Sequence, residues 1–133
     1  MIYSIQVITS NSNDLKTGIL VVIDENQYIF NVPDGFQRAA IFNKLNFGKS
    51  KYVFVSSLSP DHFGGFPGFF LTAGVSVDWG RDSADAGLPL RFCMNLVGPK
   101  GLKTRLSQAH SFVGSIGQMR IVESTSDVAK SER

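Results

Sequence analysis

The sequence predicts an α/β layered domain, with helices packed on a mostly central sheet. Short runs of branched and aromatic residues alternate with segments of helical spacing, glycine and proline punctuate the junctions, and eleven phenylalanines supply an aromatic core. A chain of 133 residues has room for one such domain.

The elements follow in order. IYSIQVI, residues 2–8, alternates as a half-buried strand does. NSND at 11–14 is a turn cluster. GILVVID at 18–24 reads as a buried strand, and the polar ENQ connects it to YIFNV at 28–32, the return strand of a hairpin. Pro33-Asp34-Gly35 is a turn, because proline presets its φ and glycine accepts unusual angles. Residues 36–46 read as a helix through a stripe of Ala40, Ile41 and Leu45. YVFVS at 52–56 is a strand, and GFPGFFLTAG at 65–74 is a short helix that tolerates Pro67 in its first turn. Residues 75–89 form a long polar connection broken by glycines. LRFCMNLVG at 90–98 returns as a strand, a helix begins near Pro99, and QMRIVES at 118–124 is the last strand. The final STSDVAKSER has no periodicity, so the domain is set at residues 1–123 and residues 124–133 are a polar tail or the start of a linker.

Thirteen Lys and Arg against eleven Asp and Glu give a net charge of +2, too small to argue for phosphate-backbone binding from bulk charge. The groups Lys44, Lys49, Lys51 and Lys100, Lys103, Arg105 read as solvated faces. The single cysteine, Cys93, excludes an internal disulfide and a cysteine-based zinc site, and its apolar neighbours predict a buried structural thiol. No apolar run approaches the roughly 20 residues that span a bilayer, so no membrane partner is expected. No secretory or transit segment is visible, which makes a cytoplasmic or nuclear setting the default.

The chemistry-bearing stretch is VFVSSLSPDHFGG, residues 53–65, a loop at a strand end, where layered α/β proteins hold their ligands. It resembles the His-x-His-x-Asp-His signature of metallo-β-lactamase-fold hydrolases, with Ser57 and Ser59 in the first two histidine positions and Asp61 and His62 in the last two. The resemblance implies a layered αββα fold of which this chain is a half-domain. In that family the histidines help hold one zinc and the Asp-His pair the second. A neutral hydroxyl is a poor zinc ligand and two ligands are too few, so no catalytic or metal-binding residue is expected here. His110, the other histidine, reads as a helix residue. Asp61 is expected to accept backbone N–H groups or to cap the next helix, and His62 to act as a hydrogen-bonded brace. Gly64, Gly65 and Gly68 permit a tight turn and close approach of helix to sheet, because their spacing is no P-loop.

The resemblance narrows further upstream. Phe30-Asn31-Val32-Pro33-Asp34-Gly35-Phe36-Gln37-Arg38, with the decayed motif and Gly64-Gly65-Phe66-Pro67-Gly68 behind it, is similar to the amino-terminal half of long-form ribonuclease Z, the tRNA 3′-processing endonuclease. That half has lost its zinc ligands, while the carboxy-terminal half keeps them and cuts. The resemblance therefore implies a non-catalytic segment without a cofactor of its own. Its partners would be the zinc-bearing catalytic half, in the same chain or a separate one, and, through the complete enzyme, precursor tRNA. No residue here is assigned to tRNA. It also implies a nuclear or mitochondrial setting, and a chain that is a fragment of a longer polypeptide. The alternative is a free-standing pseudo-enzyme of this fold that serves as an interaction module in RNA processing.

Overall fold

The computed structural model describes residues 3–9, 17–79, 93–113 and 118–124. Six strands, β1 (Tyr3–Thr9), β2 (Thr17–Ile23), β3 (Asn26–Phe30), β4 (Ser50–Phe54), β5 (Cys93–Gly98) and β6 (Gln118–Glu123), form one mixed sheet in sequential order. The first three are antiparallel neighbours and the last three join in parallel. The helices are α1 (Phe36–Phe42), α2 (Pro60–Phe63), α3 (Phe66–Trp79) and α4 (Leu102–Val113).

The order of the strands decides where the helices lie. Each crossover from β3 to β6 steps the same way across the sheet, and right-handed connections that step one way put their helices on one face. Burial agrees. Leu20, Ile29, Val53 and Leu96 stand in register across four strands at no more than 2% exposure, under Phe36 and Ala40 of α1, Phe66, Phe69 and Ala73 of α3, and Leu102 of α4. Phe69 is the hub, its ring 5.4 Å from Phe36 edge-on and 5.5 Å from Phe47. The sheet is thus covered by helices on one side, the αβ half of an αββα arrangement, rather than central between two helical layers.

Local differences from the sequence reading have local causes. The β2–β3 turn is only Asp24-Glu25, both at positive φ (46° and 74°), so Asn26 and Gln27 belong to the strand. Gln27 is buried because its side-chain carbonyl accepts the Ser50 hydroxyl at 2.7 Å. Helix α1 stops at Phe42 instead of residue 46: Asn43 turns its amide back onto the Ala39 carbonyl at 2.7 Å, and Lys44 takes a φ of 55°. Ile41, placed on the core stripe, is 54% exposed, since Phe36 and Ala40 hold the buried face of α1. Strand β4 ends at Phe54. Helix α3 runs past residue 74 to Trp79, because nothing in residues 75–79 breaks its backbone pattern. Cys93 is exposed, not buried, since Met94 and Leu96 hold the helix-side parity of β5. The turn at 11–14, the connection at 80–89 and the tail from 125 lie outside the described residues.

Candidate functional site

The motif loop leaves β4 and is bound back onto the chain that leaves β3. Asn31 holds a φ of 64°, which aims its side chain at the neighbouring strand end. There its Oδ1 accepts the Ser56 backbone N–H at 2.9 Å and the Ser56 hydroxyl at 3.0 Å. One residue on, the Val32 N–H donates to the His62 carbonyl at 2.8 Å and the Gly65 N–H donates to the Val32 carbonyl at 3.0 Å. These bonds make residues 31–33 and 56–65 one unit. Gly35, at φ 84°, then turns the chain into α1, where the Phe36 N–H donates to the Pro33 carbonyl at 3.0 Å.

Within the loop, Ser57, Ser59 and His62 come together. Ser57 Oγ lies 2.5 Å from His62 Nδ1 and 3.0 Å from Ser59 Oγ, and accepts the Ser59 backbone N–H at 3.3 Å. All three side chains are half-buried. Asp61 stands apart in exposure: it is on the surface in the first turn of α2, whose cap position is Ser59. The single turn of α2, invisible to the sequence reading at four residues, is closed by His62 and Phe63 N–H groups donating to the Ser59 carbonyl at 3.0 Å.

The glycines are accounted for by contact. A Cβ on Gly65 would sit 2.0 Å from the Pro33 carbonyl oxygen, and one on Gly68 would meet Gln37 Oε1 at 2.7 Å. Gln37 in turn donates from its amide nitrogen to the Thr72 hydroxyl, tying α1 to α3. Asn31, Ser56 and Gln37 are thus the members of this unit whose roles the sequence reading did not name. Their signal was present, because Asn31 and Gln37 stand in the run 30–38 that carries the resemblance, yet nothing in one dimension shows that Asn31 reaches the motif loop or that Gln37 reaches α3.

Does this donor set suit zinc? Two neutral hydroxyls, an imidazole already engaged at Nδ1 and a surface carboxylate do not make the three or four nitrogen, thiolate or carboxylate ligands that zinc takes. Among the described residues no three His, Cys, Asp or Glu side chains converge to hold an ion. The side chain of His110 lies outside the described residues. Next to the loop, the ends of β3, β4 and β5 border an open cleft of about 330 Å³ lined by Phe30, Asn31, Phe54, Ser56, Val97 and Pro99. Lys100, Lys103 and Arg105 are exposed near its far side, at the start of α4.

Residues 6–65, the segment that contains both halves of this bonded unit, match the family model described as tRNase Z endonuclease. Over that segment the chain is similar to the tRNase Z family. Over 104 residues it is 29% identical to a mitochondrial tRNase Z of Arabidopsis thaliana, an alignment that takes in 77% of this chain and 10% of the plant protein. Over 88 residues it is 33% identical to the ribonuclease Z of Porphyromonas gingivalis, covering 65% of this chain and 25% of the bacterial one. The chain therefore spans a quarter or less of these tRNase Z relatives. The fold agrees with solved structures. Human tRNase Z, short form, superposes with a TM-score of 0.69 at 18% identity over 95% of this chain and 46% of that one. A metallo-β-lactamase fold protein of Bacillus subtilis does so with 0.57 at 12% identity, covering 92% of this chain and 46% of that one.

Proposed function

We propose that this chain is the non-catalytic amino-terminal part of a tRNA 3′-processing endoribonuclease, supporting a separate zinc-bearing catalytic half in removing 3′ trailers from precursor tRNA. The observation that supports the reading is the decayed loop: backbone hydrogen bonds join residues 31–33 to 56–65, while the first two ligand positions hold serines, of which Ser57 bonds both His62 and Ser59. The loop keeps its architectural role and has shed its chemistry. Zinc then belongs to the carboxy-terminal half, in the same polypeptide or a partner, and this segment binds none. Precursor tRNA is met through the complete enzyme. A mitochondrial setting is supported by the naming of the Arabidopsis relatives, and a nuclear one stands on the resemblance alone.

His62→Ala in the complete enzyme is the test. Loss of the Ser57 bond should lower stability by about 1–2 kcal/mol, seen as a drop of a few degrees in Tm. Bound zinc and cleavage of precursor tRNA should be unchanged. Zinc loss in this variant, read by atomic absorption, would contradict the assignment.

A further inference from the structure

Helix α1 buries Phe36 and Ala40 but ends on a ring that the core does not use: Phe42, its last residue, is 87% exposed, with Ile41 beside it. Arg38 stands one turn before Phe42 on the same side of the helix and is exposed too. Beyond the ring, Asn43 folds back onto the Ala39 carbonyl and Lys44 reverses the chain at a φ of 55°, so an exposed ammonium follows two residues on. The charge in this part of the chain has one sign. Residues 35–60 carry Arg38, Lys44, Lys49 and Lys51 and no Asp or Glu, whereas the whole chain nets only +2. Lys49 reaches Glu25 of the β2–β3 turn at 3.7 Å, which places this surface at the end of the sheet away from the motif loop. A solvated basic face, as the sequence alone suggests for Lys44, Lys49 and Lys51, gives no reason for Phe42.

We propose that this surface binds single-stranded RNA, the Phe42 ring stacking on an unpaired base while Arg38 and Lys44 meet the phosphates on either side of it. Protein-facing surfaces set a broad apolar centre, depleted of charge, inside a polar rim. Here a single exposed ring with one aliphatic neighbour stands among cations of one sign, the pairing of stacking platform and basic track that unpaired nucleic acid takes. The RNA must be unpaired, because a base inside a duplex offers no face to a side chain. The inference rests on the proposed function, which supplies such a strand: the 3′ trailer of precursor tRNA lies beyond the bond that is cut and can extend over a surface outside the catalytic half. Contacts made there act equally on the bound substrate and on the transition state, so they raise affinity for long trailers and leave the chemical step alone.

Photocrosslinking of a thiouridine-substituted oligouridine of about 10 nucleotides to the complete enzyme, followed by peptide mapping, tests the surface directly. The RNA should attach within residues 39–44, the tryptic peptide that holds Phe42. Phe42→Leu, which keeps an apolar side chain and loses the ring, should lower that adduct about tenfold, and Phe42→Trp should retain it. With precursor tRNA, Phe42→Leu and the pair Arg38→Ala with Lys44→Gln should each raise KM severalfold for long trailers, leaving kcat and the KM for very short trailers unchanged. The charge pair should also flatten the dependence of log affinity on log salt by roughly 0.7 for each cation removed. An oligouridine that attaches elsewhere and not within residues 39–44, or an adduct there that is indifferent to Phe42→Leu, overturns the inference even where the enzyme cuts precursor tRNA normally. So does loss of a copurifying protein, rather than of RNA, in the Phe42 variant. A complete enzyme that does not cut precursor tRNA contradicts the proposed function instead, and the oligouridine adduct still decides the surface.

Discussion

Gly65→Ala is expected to destabilise the protein by about 3 kcal/mol or more, the sum of an overpacking cost and the hydrogen bonds that overpacking displaces. The new methyl would need the space held by the Pro33 carbonyl oxygen, 2.0 Å from its ideal position. That oxygen cannot give way independently. It accepts the Phe36 N–H at the start of α1, and the adjacent Val32 is bonded on both sides to the motif loop. Relief therefore requires separating the two segments. Gly68→Ala makes the natural comparison, since its methyl meets only the amide end of Gln37, a side chain that can rotate away. It should cost less than about 1.5 kcal/mol. Urea unfolding of both variants measures the difference, and equal costs would mean that the stitching of residues 31–33 to the loop does not hold this region together.

Phe69→Ala should cost about 3–5 kcal/mol, the range for deleting a fully buried aromatic ring and leaving a cavity. Its ring joins α1, through Phe36, to the 3₁₀ turn at Phe47–Lys49, through Phe47, and all of these rest on the Leu20–Ile29–Val53–Leu96 row. Phe42→Ala, by contrast, removes a ring that is 87% exposed and should change the same unfolding midpoint little. A small effect at Phe69 would place the centre of the core elsewhere.

Much of this architecture was legible because it rests on short-range patterns. Strands β2 to β6 carry runs of branched or aromatic residues, and Pro33-Asp34-Gly35 carries a turn mechanism, so each was found close to its place. What escaped was decided by partners distant in sequence. The end of α1 depends on Asn43 folding back onto Ala39, and the exposure of Cys93 depends on which parity of β5 meets the helices. The one-sided helix layer is a property of strand order, which single segments do not encode. At the candidate site, the proposed loss of zinc chemistry rests on the residue types at 57, 59, 61 and 62. The hydrogen bonds of Ser57 to His62 and of Asn31 to Ser56, which support the loop, required three dimensions to see.

The central claim is that this segment serves a catalytic half that it does not itself contain. The most direct measurement is the mass and peptide map of the native polypeptide, taken from its own source. The account predicts a polypeptide, or a stable complex, several times heavier than 14.5 kDa, with peptides bearing an intact His-x-His-x-Asp-His outside residues 1–133. A native chain near 14.5 kDa with no such partner would contradict it.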